Sequence, residues 1–202
     1  MTGHCHGGSQ SGTVFDGSSM YWPGAKKDRA MAVSFRLAKA DQLSDIRSLY
    51  LTSMAYIGDR MGIERSADAF SDLESFVEAR NLYIVQEDGV LLGAAAIREV
   101  DNGLYLEYLA VHQDHQNSGL GRKLLAEMEM IAESRELPYL RLHTPEVMHE
   151  LLAYYARRGF TETHRALPPH GRDQVLRVYF EKDIAQDGMH ADRIDAHDRQ
   201  LA

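Results

Sequence analysis

Two glycines, Gly119 and Gly121, stand where a run of alternating apolar residues gives way to a long amphipathic stretch. The run is Leu104–Val111. A short polar segment follows it, and the sequence then reads Gln116-Asn117-Ser118-Gly119-Leu120-Gly121-Arg122. A strand that ends, a loop and a glycine-opened helix form an anion site for a physical reason. The first turn of a helix has N–H groups with no intrahelical acceptor and carries positive partial charge. Glycines there let an anion approach the backbone, and Arg122 and Lys123 add charge. The chemistry that fits is a pyrophosphate. A nucleotide P-loop needs G-x-x-x-x-G-K-[ST], which is absent. A dinucleotide turn would add a third glycine and a later acidic ribose ligand.

The elements that must hold this turn follow from periodicity. Ser34–Ala38 reads as a strand, and Asp41 as the cap of a helix with Leu43, Ile46, Tyr50 and Met54 on its apolar face. A second helix is expected within 67–80. Leu82–Gln86 and Val90–Ile97 flank Asp88-Gly89, a strong hairpin signal. Asn102-Gly103 marks the next turn. From about Gly119 to Arg135 the stripe Leu120, Leu124, Leu125, Met128, Ile131 and Ala132 has helical spacing. Tyr139–His143 reads as a strand. Thr144-Pro145-Glu146 then reads as N-cap, N1 and N2 of a helix that stops at Gly159. Phe160–Arg165 and Val175–Glu181 read as a closing strand pair. The expected fold class is α/β: one domain with a mixed, mostly antiparallel sheet and helices on both faces.

The chain has 202 residues and a formal net charge of −8, the wrong sign for a nucleic-acid binder. It has no apolar run long enough to span a membrane. Its single cysteine, Cys5, permits no internal disulfide, which suits a reducing cytoplasm. Residues 1–30, with six Gly and four Ser, read as a flexible leader, and residues 31–182 as the domain. Residues 183–202, with five Asp against two Arg, read as a polar tail. Adjacent His4, Cys5 and His6 do not close a tetrahedral site, so no metal is expected.

The strand Tyr105–Val111 followed by Gln116–Gly121 resembles the acetyl-CoA-binding motif of the GNAT superfamily of N-acyltransferases. Downstream, Met148-His149-Glu150-Leu151-Leu152-Ala153-Tyr154-Tyr155 and Gly159-Phe160 resemble its helix ending in Tyr-x-x-x-Gly-Phe. The resemblance covers roughly residues 34–181, with Met148 and Leu151 where many members carry Asn. It implies that Leu109, Ala110 and Val111 pair with the pantetheine arm as an added strand. The N–H groups of Asn117–Arg122 would hold the pyrophosphate.

The activity so implied is transfer of an acetyl group from acetyl-CoA to a primary amine, on a small molecule or a peptide. Such an acceptor would contact residues 50–80 and the loop 166–174, and a homodimer is left open. The runner-up is a catalytically silent acyl-CoA-binding or regulatory module. Acetyl transfer needs a neutral amine, donors for the carbonyl oxygen and a proton for the departing thiolate. Tyr155 shares a helical stripe with Met148, Leu151 and Leu152, and it matches the family's thiolate-protonating tyrosine. Glu107, on the cofactor strand, matches a base-acting glutamate of many members. His143, ending the neighbouring strand, is a second base candidate. Cys5 has no fixed partner to activate it, so direct attack in a ternary complex is expected over an acyl-enzyme.

Overall fold

Two-residue turns set the middle of the sheet. Asp88 and Gly89 both have positive φ, as do Asp101 and Asn102, and each pair closes a tight antiparallel hairpin. The second turn is therefore Asp101-Asn102, one residue earlier than expected, and Gly103 is already strand. The computed structural model describes residues 33–64, 68–169, 171 and 173–184. The leader, with Cys5, and most of the polar tail lie outside these residues. Asp183 and Ile184, at the tail's start, belong respectively to the last strand and to the core.

The strands are β1 (Val33–Leu37), β2 (Leu82–Glu87), β3 (Val90–Val100), β4 (Gly103–Val111), β5 (Tyr139–Pro145), β6 (Thr161–Ala166) and β7 (Arg177–Asp183). They form one seven-stranded sheet in the order β1-β2-β3-β4-β5-β7-β6. Only the β4–β5 contact is parallel, so the sheet is mixed and mostly antiparallel, as expected.

The helices are α1 (Leu43–Ser53), α2 (Ala55–Met61), α3 (Leu73–Glu78), α4 (Leu120–Ser134) and α5 (His149–Ala156). Each face of the sheet has its own core. On one, Ile46, Leu49 and Tyr50 of α1 and Leu73 and Phe76 of α3 pack on Ile84, Ala94, Ala96 and Ala110. On the other, the α4 stripe packs on Leu104, Leu106, Leu140, Leu142 and Val178, with α5 beside it. All six stripe residues of α4 are buried. No helix among the described residues is long and apolar enough to cross a membrane.

Three local expectations are corrected. Thr144 and Pro145 do not start a helix; they extend β5, pairing with Val178 and Arg177. Proline is tolerated there because alternation puts it at a position that makes no hydrogen bond to β7, while the N–H of Glu146 beyond it donates to the carbonyl of Leu176 at 2.9 Å, and α5 starts only at His149. The helix expected in 67–80 is confined to Leu73–Glu78, and α2 was not foreseen. Asp41 lies inside a 3-10 turn, Ala40–Gln42, rather than capping α1.

Candidate active site

The site starts from one irregularity in the sheet. On β4, Leu106 pairs with Ile97 and Tyr108 with Ala96, so Glu107 is an extra residue, a β-bulge. A bulge breaks the alternation of faces and bends its strand. Leu106 accordingly faces the α4 core, while Tyr108, two residues on, faces α1 and α3. Pairing with β5 ends at the same place. The parallel ladder joins only Leu104, Tyr105 and Leu106 to Leu140, Arg141 and Leu142. Beyond Glu107, β4 continues to Val111 with β3 alone beside it.

The phase of that exposed edge follows from one bond. The N–H of His112 donates to the carbonyl of Leu92 at 2.8 Å. Alternation along an antiparallel pair then turns the N–H and C=O of Leu109 and Val111 away from β3, toward the gap. Between the parted strands lies a cavity of about 1010 Å³ that reaches both faces of the sheet.

At one end of the cavity is the glycine turn. Gly119, with φ of +88°, occupies the N-cap position of α4, a conformation that costs other residues dearly. The preceding loop is tied down by its own side chains. Gln116 Nε2 donates to the carbonyl of Val111 at 3.2 Å, and Ser118 Oγ to that of His115 at 2.6 Å. Gly121 differs from Gly119: a Cβ there would meet only the Val111 side chain, at an ordinary 3.7 Å. Gln116, Asn117, Ser118, Gly119, Gly121 and Arg122 all line the cavity, and the side chain of Leu120 turns into the core.

Glu107 lies on the cavity wall within a charge network drawn from three elements. Its Oε2 is 3.6 Å from Arg98 Nε, on β3. The same guanidinium donates to Asp72, the N-cap residue of α3, at 3.0 Å and lies 4.0 Å over the Phe76 ring. Tyr108 also donates to Asp72. Burial pushes the Glu107 carboxyl above its ordinary range; Arg98 opposes this and Asp72 reinforces it. Asp72, Arg98 and Tyr108 went unread in the sequence, since nothing local links them to Glu107.

The sign of this balance gives an expected result. A base works deprotonated, so a raised Glu107 shifts an acidic limb of activity upward in pH. Arg98→Met removes the opposing positive charge and leaves Asp72 as a like-charged neighbour. The limb should therefore move to still higher pH, measured as kcat/KM against pH. An unchanged or lowered limb would show that Glu107 does not govern it.

Tyr155 lies on α5 on the other side of the gap. Its ring packs edge-on against Phe160 and tilted against Phe180, at 5.7 and 5.8 Å between centroids. The N–H of Phe160 donates back to the Tyr155 carbonyl at 3.2 Å, and Gly159, with φ of +83°, makes that turn. Burial above all, then the nearby Tyr154 and Tyr56 hydroxyls, push the Tyr155 phenol well up, so it keeps its proton at neutral pH. Tyr154 lines the cavity as well.

His143 lies on β5 and lines the same cavity. Its Nδ1 is hydrogen-bonded to the Tyr105 hydroxyl, and its ring leans on Tyr179, 5.4 Å away. Burial pushes the Tyr105 phenol up too, so it keeps its proton at neutral pH, and the imidazole tautomer sets which of the two groups donates. The structure thus brings Glu107, His143, Tyr155 and the glycine turn to one cavity.

A profile described as the acetyltransferase (GNAT) family matches residues 43–160, more than half of the chain. A Xenopus laevis protein named "Probable N-acetyltransferase camello" is 27% identical over 97 residues. That alignment takes in 46% of this chain and 44% of that one, so the chain spans less than half of that relative's length. Among solved structures, a GNAT-family acetyltransferase from Staphylococcus aureus superposes with a TM-score of 0.62 at 16% identity. It covers 76% of this chain and 99% of its own. The PaiA N-acetyltransferase of Thermoplasma acidophilum, solved with coenzyme A, gives 0.60 at 17% identity, over 76% and 99%. At these identities the two structures attest the fold.

Proposed function

The chain belongs to the GNAT acetyltransferase family, and from that premise we propose that it moves an acetyl group from acetyl-CoA to a primary amine by direct attack in a ternary complex. The observation that carries this reading is the coincidence of the Glu107 bulge with the end of β4–β5 pairing. It leaves a strand edge with no second strand beside it, aimed into a cavity that has the glycine turn at one end. An extended amide-bearing arm is what such an edge accepts.

Acetyl-CoA supplies the acetyl thioester; the chain's residues do the rest. The outward backbone groups of Leu109 and Val111 pair with the pantetheine amides. First-turn N–H groups of α4 and Arg122 hold the pyrophosphate. Glu107, made more basic by burial, removes a proton from the incoming ammonium, directly or through water. Tyr155 donates its hydroxyl hydrogen to the sulfur as the thiolate departs. Its raised pKa makes full transfer uphill, so its action is chiefly a hydrogen bond that strengthens as charge develops. His143 is the second base candidate: in the tautomer whose Nδ1 donates to Tyr105, Nε2 can take a proton.

The test is thiol release from acetyl-CoA across small amines, amino acids, polyamines and peptides. Binding of acetyl-CoA with no turnover on any of them would favour the silent module. The two glycines separate binding from folding. Gly121→Val adds bulk where the protein has room, so the domain should stay folded while the acetyl-CoA shift in Tm disappears. Gly119→Val should also lower Tm by itself, because φ of +88° strains any side chain. Wild-type affinity in both variants would overturn the pyrophosphate assignment.

A further inference from the structure

Resting on that reading, we infer that the acceptor is a primary amine carried on an apolar body, an alkyl or aryl chain, and not a polycation. The cavity has a second lobe, on the α1–α3 face of the sheet. Its wall is made by Met54, Ile57, Met61 and Phe70, all half-buried, with Tyr56 and Ile63 at the rim. Those two remain 43% and 37% exposed, although both are large and apolar. Exposed apolar side chains that converge on one concave surface mark a place for an apolar ligand. The helix that carries three of the six, α2, is held beside the proposed transfer centre. Arg60 Nη1 donates to Glu150 Oε2 of α5 at 2.7 Å, joining the two helices. Tyr56 also lies near enough to raise the Tyr155 phenol.

The polar groups at the inner end of this lobe suit a single nitrogen. Glu107 can take a proton from one ammonium, and Arg98 already meets part of its charge. A second ammonium farther along the acceptor would lie among Met61, Ile57 and Phe70, where a charge loses its hydration, and the Glu64 carboxylate beside Ile63 is exposed at the rim, where an ion pair gains little. The two methionines, flexible and polarizable, let the wall follow chains of different shape.

The experiment is a series of n-alkylamines from ethylamine to hexylamine, with phenethylamine and 1,6-diaminohexane, assayed with acetyl-CoA. The expected result is a rise in kcat/KM of about three- to fourfold per methylene. Hexylamine should exceed 1,6-diaminohexane by about tenfold or more. Ile57→Asp should flatten the series and narrow the gap to the diamine, while the acetyl-CoA shift in Tm stays as in wild type. A flat series, or preference for the diamine, overturns the inference and leaves acetyl transfer standing. No turnover with any amine class overturns both. A series as steep in Ile57→Asp as in wild type shows that the α2 wall is not the acceptor site.

Discussion

Tyr155→Phe should lower turnover by about 10²–10⁴ with little change in acetyl-CoA affinity. The substitution keeps the ring against Phe160 and Phe180, so the packing that orders the end of α5 persists. It removes only the hydroxyl proposed to meet the departing sulfur. Tm should therefore stay close to wild type. Because burial holds the phenol well above neutral pH, Tyr155 should contribute no alkaline limb to the wild-type profile below about pH 10. Two measurements decide the role: steady-state kcat and acetyl-CoA binding by titration. Full activity in the variant would make Tyr155 a packing residue. Equal loss of turnover and of acetyl-CoA binding would make it a cofactor-positioning residue.

Glu107→Gln is the second large effect. The amide keeps shape and hydrogen-bonding capacity but cannot take a proton at neutral pH. Turnover should fall by about 10²–10⁴, and the acidic limb should vanish from kcat/KM. Added small bases should restore part of the rate. Stability should change little, since Glu107 is one of two carboxylates beside Arg98 and Asp72 keeps its 3.0 Å bond to the guanidinium. His143→Gln is the comparison. If its profile loses the acidic limb while that of Glu107→Gln keeps it, the base is His143. In that case His143 Nδ1 donates to Tyr105 while Nε2 takes the proton. If neither variant alters the limb, water or the substrate's own ionisation carries the proton.

The parts of the site legible in the sequence are those built by neighbours in the chain. The glycine turn was readable because a strand end, two glycines and a helix start lie within about twenty residues, and each conformation has a local cause. The α4 stripe was readable because helical periodicity reports burial without knowledge of what the helix packs on. Tyr155 and Gly159-Phe160 form another local unit, closed by the Phe160 N–H on the Tyr155 carbonyl. Thr144-Pro145 misled for the converse reason. Its residue types cap helices, but pairing with Val178 and Arg177, more than thirty residues away, held it in the sheet.

By itself, then, the sequence determined an α/β order of elements, a glycine turn at Gly119–Arg122 and a tyrosine-bearing helix after it. Only the tertiary structure decided where the cavity opens. The bulge at Glu107 is a property of two strands in register, and alternation read along β4 alone assumes an unbroken pleat. The partners that set the basicity of Glu107 come from β3 and from the start of α3. Burial and Coulomb interaction depend on distance in space, and the distances that matter here are closed by the sheet, not by the chain.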